Sequence, residues 1–262
     1  MTPEERLPIH RVEKVDSTNR LARREIESGA LDASTGRFYI AREQSGGVGR
    51  HGRKWHSPEG GLWCTAAWPV PTGHDAPDPR MVALGLGLRV GVAALTAISE
   101  SLTRHMARVM PMLKWPNDVL LKRRKACGTL CEALVTGPEF GRTAWLIVGV
   151  GVNVNNDVSE LPQDLRRAPI AMRDVCAEDI DLEALALRMR AALFDALNTT
   201  GVDDRSLKIA RERLYGKGSP ITIVAPGGVH MPGTLVTLNE DGVPVLRMGK
   251  AEFAVPPGSE LE

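Results

Sequence analysis

Apolar residues recur at every third or fourth position in some stretches of this chain and alternate in most others, which sorts it into helices and strands. Between Arg80 and about His105, Val82, Leu86 and Val90 repeat every four residues, and Ala93, Ala94 and Ala97 continue the face. That predicts a long helix. Gly85, Gly87 and Gly91 weaken it in isolation but allow close packing on a sheet. Asp181 to Asn198 reads as an amphipathic helix with Leu182, Leu185, Met189 and Leu193 or Leu197 inward. Asp203 to Tyr215 reads as another. A charged helix running to about Ser28 follows Asp16-Ser17-Thr18-Asn19, with Gly29 as its stop.

Val12 to Val15 leads into Asp16, and strands are predicted at Arg37 to Arg42, at Gly61 to Trp68, and at Met112 to Trp115, where Pro116 ends the run. Asp118 to Lys122 and Ala126 to Thr136 form a hairpin around Lys122-Arg123-Arg124-Lys125, and Trp145 to Val154 is an apolar, β-branched strand. Pro69 to Pro79 is a connector and Asn155 to Pro169 a loop. The pattern changes at Gly216-Lys217-Gly218. Beyond it, β runs at Ile221–Val224, Gly233–Leu238, Val243–Met248 and Glu252–Val255 alternate with turns, among them Asn239-Glu240-Asp241-Gly242. The expectation is a large domain over 1–215 and a small β-barrel-like domain over 216–262 that packs on it.

Composition adds little to this picture. The chain has 262 residues, 43% hydrophobic and 25% charged, which suits a globular protein. A net charge of +1 gives no global field for nucleic acid or an anionic membrane. The first ten residues lack the apolar core of a secretory signal, and the run from Met81 to Ile98 is broken by Arg89 and glycines, so it reads as a core helix. Four cysteines (Cys64, Cys127, Cys131, Cys176) without a second close pair read as buried reduced thiols of a cytoplasmic protein, not as a zinc site.

The stretch Gln44-Ser45-Gly46-Gly47-Val48-Gly49-Arg50-His51-Gly52-Arg53-Lys54-Trp55 suits neither helix nor strand. Glycines let a backbone approach a ligand, arginines donate to carboxylate or phosphate, and a tryptophan offers a face to a ring. It is either a loop folded over an anion or a flexible basic loop. Lys114-Trp115-Pro116-Asn117-Asp118 is either ordinary turn chemistry or a phosphate and Mg²⁺ corner. Lys125 begins an apolar strand and is better placed than its charged neighbours to point inward. Gly149-Val150-Gly151-Val152-Asn153 is either a closely packed strand or one that admits a ligand, with the Asn153 amide at its end. Asp16 to Asn19 reads locally as a helix cap.

Taken together and in this order, these segments resemble the biotin protein ligases. The matching parts are Asp16 to Asn19, Gln44 to Trp55, Lys114 to Glu132 and Gly149 to Asn155. The resemblance covers nearly the whole chain, and the Lys-Trp-Pro-Asn-Asp block with Lys125 and Gly128 downstream is its most specific part. It implies an α/β fold: a class II synthetase-like mixed sheet followed by an SH3-like barrel. It implies that biotin is activated with ATP and Mg²⁺ as biotinyl-5′-AMP and passed to a lysine of a biotin carboxyl carrier protein. Ser17, Thr18, Asn19 and Gln44 would line the biotin pocket. Gly47, Val48, Gly49 and Arg50 would form the loop over it, with Gly128 letting the ligand approach. Lys125 would bridge the biotin carboxylate and the α-phosphate. Arg53, Trp55, Lys114, Asn117, Gly149, Gly151 and Asn153 would serve ATP and the adenylate. Asp118 would meet Mg²⁺ or help deprotonate the incoming lysine. The catalytic set would be Lys125, Arg50 and Asp118.

Two departures stand out. Val48 occupies a place where the family usually has arginine, and Ser259-Glu260-Leu261-Glu262 carries no basic segment. About fifteen residues precede Asp16, too few for a DNA-binding helix-turn-helix, so a nucleic-acid partner is not expected; nor is a membrane. A homodimer is left open. The alternatives to a biotin ligase are a lipoate or octanoate ligase on the same fold and a non-catalytic protein that captures carrier domains.

Overall fold

The structure, a computed structural model, describes residues 2–70, 83–137, 143–162, 165, 167–176, 178–256 and 258–261. A short helix α1 (Pro3–Arg6) leads into strand β1 (Ile9–Val15), helix α2 (Thr18–Glu27) and strand β2 (Arg37–Gln44). Strand β3 (Leu62–Val70) is followed by helix α3 (Leu86–Arg104) and strands β4 (Met112–Lys114), β5 (Asp118–Leu121), β6 (Arg124–Thr136) and β7 (Thr143–Val152). Helices α4 (Leu182–Leu197) and α5 (Asp204–Glu212) precede strands β8 (Pro220–Ala225), β9 (Val229–Leu238), β10 (Pro244–Met248), β11 (Ala251–Ala254) and β12 (Glu260–Leu261).

The first seven strands form one sheet in the order β1-β2-β3-β7-β6-β5-β4. Only β1 and β2 run parallel, joined by α2 as the crossover; the other pairs are antiparallel. Alternation along β7 sorts its side chains cleanly. Val148, Val150 and Val152 join the core beneath α3 and α4, whereas Trp145 and Ile147 pack with Ala22 and Ile26 of α2 on the other face. Gly149 and Gly151 continue that second face, and there the sheet is bare. This is where the chain places its polar side chains.

The sequence-predicted elements are present, with informative shifts. Helix α3 starts at Leu86, not Arg80; residues 80–82, like the Pro-rich connector beyond Val70, lie outside the described residues. Gly85 caps it with φ +68, and a Cβ there would lie 2.3 Å from Val202, so this position cannot continue a helix. Of the glycines expected to pack closely, Gly91 does so against Pro116, while Gly87 meets nothing within 4 Å. By length and composition α3 could cross a membrane, but it is mostly buried within the fold. The charged hairpin turns tightly at Lys122 and Arg123, both at positive φ, so Lys125 lies inside β6 and not at the tip. Cys64 and Cys127 are buried, and desolvation pushes both thiols up; Cys131 and Cys176 are only partly buried, so the expectation of four buried thiols is corrected.

The last five strands form an antiparallel sheet in the order β11-β10-β9-β8-β12. Among the described residues no pairing joins its edges, so the barrel expected from the resemblance is an open sheet here. Its buried Ile223, Leu235, Leu238, Leu246 and Leu261 belong to the same contiguous core as α3 and the first sheet. Trp115 Nε1 donates to Gly242 O at 2.9 Å, tying the turn after β9 to the corner between β4 and β5.

Arg89 of α3 is 1% exposed, and its guanidinium donates to the carbonyls of Leu84 (2.6 Å), Ala196 (3.0 Å) and Gly201. Arg89→Met would keep the stem and strand those carbonyls. We expect a loss of roughly 2–4 kcal/mol in urea unfolding; a loss below about 1 kcal/mol would contradict this role for the arginine.

Candidate active site

The glycine-rich stretch is an ordered hairpin. Gln44 pairs with Ser57 and Val48 with Lys54, and the Trp55 N–H donates to Gly47 O at 2.8 Å. The tip, Arg50–Gly52, is a 3₁₀ turn in which His51 (φ 56) and Gly52 (φ 70) are left-handed. Two arginines and a histidine converge on one carboxylate. Glu260 of β12 lies 3.4 Å from Arg50 Nη2, 2.7 Å from His51 Nε2 and 3.0 Å from Arg53 Nη2. Nothing local in the sequence singles out Glu260, which is some two hundred residues from its partners; the C-terminal stretch stands out only for lacking basic residues.

Behind the hairpin, Trp55 lies on the sheet. Gly128 of β6 and Gly151 of β7 are register partners, and a Cβ at Gly151 would sit 2.3 Å from Trp55 Nε1. A Cβ at Gly128 would meet both Lys125 and Trp55 at about 3.1 Å. The next site-facing position, Gly149, is covered by Asn19, whose Oδ1 would lie 2.3 Å from a Cβ there. The absent side chains at these three glycines thus make room for Trp55, Lys125 and Asn19 of the same chain, and the glycines themselves still line the cavity. Trp55 Nε1 is buried and makes no hydrogen bond, which leaves a donor at the cavity wall.

The Lys-Trp-Pro-Asn-Asp corner spans the turn between β4 and β5, where the Trp115–Pro116 peptide is cis. Strand pairing sets Lys114 opposite Asp118 and Asp118 opposite Gly128. Lys125 Nζ reaches back across β5 to Asp118 Oδ1 at 2.9 Å and stands 5.0 Å from the Trp55 ring centroid. Asn117 accepts from Arg50 Nη1 at 3.2 Å and donates to Thr129 O at 2.8 Å. Just past β7, Asn153 Oδ1 accepts from Asn156 Nδ2 at 3.1 Å, which leaves the Asn153 amide NH₂ as its remaining donor.

Asp16 to Asn19 does begin a helix, but Ser17 makes no capping bond. Instead the Thr18 N–H donates to Gln44 Oε1 at 2.8 Å, so a side chain from the end of β2 caps α2. The Thr18 hydroxyl also lies 3.0 Å from Gln44 Oε1, and Gln44 Nε2 donates to Ser57 Oγ at 2.8 Å. Asp16 turns outward to a bidentate pair with Arg24, which holds its carboxyl below the usual range. Sequence reasoning missed Ser57, Thr65 and the hydrogen bonds of Glu132 to Asn19 and Arg23, because each meets partners distant in the chain.

These groups surround one cavity of about 640 Å³, within the range of small-molecule sites. Every sequence-predicted site residue lines it except Gly47. Gly47 faces into the hairpin, where a Cβ would lie 2.5 Å from Trp55 O, so its requirement for glycine is structural. Among the described residues no three metal-ligating side chains come together.

Residues 12–153 match the family described as the biotin/lipoate A/B protein ligase family. The chain is 35% identical over 262 residues to the biotin–[acetyl-CoA-carboxylase] ligase of Paracoccus denitrificans, covering 95% of this chain and 97% of that protein. It is 32% identical over 152 residues to the bifunctional ligase/repressor BirA of Bacillus subtilis, covering 57% of this chain but only 42% of that longer protein. The biotin protein ligase of Aquifex aeolicus, solved in complex with biotin and ATP, shares the fold with a TM-score of 0.74 at 24% identity over 97% of this chain and 98% of that one. With more than half of its length matched by the family and a full-length relative at this identity, the chain belongs to the biotin/lipoate A/B protein ligase family.

Proposed function

We propose that this protein is a biotin ligase that activates biotin with ATP as biotinyl-5′-AMP and transfers it to a lysine of a biotin carboxyl carrier protein. The observation that carries this reading is the position of Lys125, held by Asp118 at 2.9 Å and by the Trp55 face within a cavity of about 640 Å³. A biotin carboxylate oxygen attacks the α-phosphorus and pyrophosphate leaves. The carrier's amine then attacks the acyl carbon and AMP leaves. The first step brings an anion against a polyanion, so it needs fixed positive charge and N–H donors. Lys125, Arg50, Arg53 and Lys114 supply the charge in our reading, and Asn117 and Asn153 the amides. Ser17, Thr18, Asn19 and Gln44 form the biotin end, and Trp55 with Gly128, Gly149 and Gly151 the wall on which the adenylate rests. Val48 and Gly49 complete the hairpin over it, and the Arg50–Asn117 bond closes that hairpin onto the corner.

Mg²⁺ binds with one or two carboxylates plus substrate phosphates and neutralises phosphate charge. Asp118 fits that role as a lone carboxylate, with one oxygen already on Lys125. We read the chain as a catalytic unit, residues 1–215, followed by a C-terminal unit, residues 216–262. The C-terminal unit contributes Glu260 to the site.

Three measurements test this reading. With a biotin carrier domain, ATP and labelled biotin, the wild type transfers label, and Lys125→Ala lowers biotin-dependent pyrophosphate release about a hundredfold or more. An unchanged rate rejects the assignment of Lys125. Arg50→Ala loosens the hairpin, so free biotinyl-AMP escapes faster than from the wild type; equal escape rules out the lid role. Gly151→Val removes the seat of Trp55. Its indole fluorescence should shift to that of a more exposed ring and the KM for ATP should rise about tenfold, and a wild-type spectrum and KM would show that the glycine is dispensable.

A further inference from the structure

Most of the polar groups around the cavity touch it directly, but Glu132 does not. It lies on the site face of β6, outside the cavity wall. Arg23 Nη2 donates to its Oε1 at 3.0 Å and Asn19 Nδ2 donates to its Oε2 at 2.8 Å. A carboxylate only accepts, so this contact fixes which end of the Asn19 amide faces the strand. The Asn19 carbonyl oxygen must then face Thr65, whose hydroxyl lies 2.6 Å away and is fully buried. Thr65 has one hydrogen, and the buried Asn19 oxygen takes it.

The other end of the network is fixed independently. The Thr18 N–H can only donate, so Gln44 presents its oxygen to Thr18 and its NH₂ to Ser57. The Thr18 hydroxyl therefore stands between two acceptors, Thr65 Oγ1 at 2.7 Å and Gln44 Oε1 at 3.0 Å. Its own hydrogen goes to one of them. No hydrogen from Thr65 reaches it, because Asn19 holds that one. Thr18 is 3% exposed and lines the cavity, and on this donor pattern neither Thr65 nor Gln44 gives its oxygen a hydrogen.

We propose that Glu132 is a positioning residue that, through Asn19 and Thr65, makes the Thr18 hydroxyl an acceptor toward the cavity and so selects an acid whose ring carries an N–H. This rests on the ligase reading and deepens it. The cyclic urea of biotin has such N–H groups. A dithiolane or plain alkyl acid has none and would leave the buried oxygen unpaired, which is unfavourable. The family is named for both biotin and lipoate, so the relay assigns the choice between them to residues one layer behind the pocket.

The test exploits the direction of the relay. Asn19→Asp replaces the donor that meets Glu132 with a second carboxylate, and with both ionised at pH 8 their repulsion moves the introduced side chain off Thr65, which frees the Thr65 hydrogen for Thr18. At pH 8 the KM for biotin should rise about tenfold or more while the KM for ATP stays within about twofold. Adding Glu132→Gln gives the introduced carboxylate a donor partner and leaves its other oxygen for Thr65, restoring the original polarity. The double variant Asn19→Asp/Glu132→Gln should therefore return the KM for biotin to within about threefold of wild type. Unchanged biotin KM in Asn19→Asp, or a double variant as impaired as the single, overturns the relay. A wild type that releases no pyrophosphate with biotin overturns the ligase reading itself, which is a separate outcome.

Discussion

The site depends on one pair of register partners, Gly128 and Gly151. Side chains at these positions would fill the face of the sheet opposite the main core. With none there, the Trp55 indole packs against both strands, and the rest follows from its position. Lys125, from the same strand as Gly128, is held between that indole and Asp118. The hairpin carrying Trp55 brings Arg50 to Asn117 across the cavity. The missing side chains thus convert a hydrophobic sheet face into a floor for charged groups, and the alternating valines of β7 preserve the core on the other side.

The C-terminal sheet enters the same arrangement through a single carboxylate. Glu260 gathers Arg50, His51 and Arg53, and it is mostly buried, so its contacts are less screened than those of a surface pair. The small sheet shares its apolar core with the large one, which fixes β12 relative to the hairpin tip. Packing in one part of the molecule therefore sets the charge environment in another.

Much of this is legible in the sequence. Periodicity locates the strands and helices because most bury one regular face. Lys125 can be assigned inward because an apolar strand follows it. Periodicity misplaces the start of α3 because Val82 and Leu86 keep the helical spacing across Gly85, whose left-handed backbone the spacing does not register. The glycines of β7 are recognisable as special, but what fills their space is not, since Asn19 and Trp55 come from segments far away in the chain. The SH3-like barrel expected from the resemblance is a five-stranded antiparallel sheet whose edges do not pair among the described residues. Glu260, Thr65 and Glu132 leave no local trace, because each matters only through partners brought to it by the fold.

The central claim is that this cavity activates biotin at the expense of ATP. The most direct measurement is isotope exchange between ATP and pyrophosphate with the wild-type protein, run separately with biotin, lipoate and octanoate and no carrier present. The account predicts exchange with biotin and little with the other two acids. Exchange driven by lipoate or octanoate, or none with any acid, would contradict it.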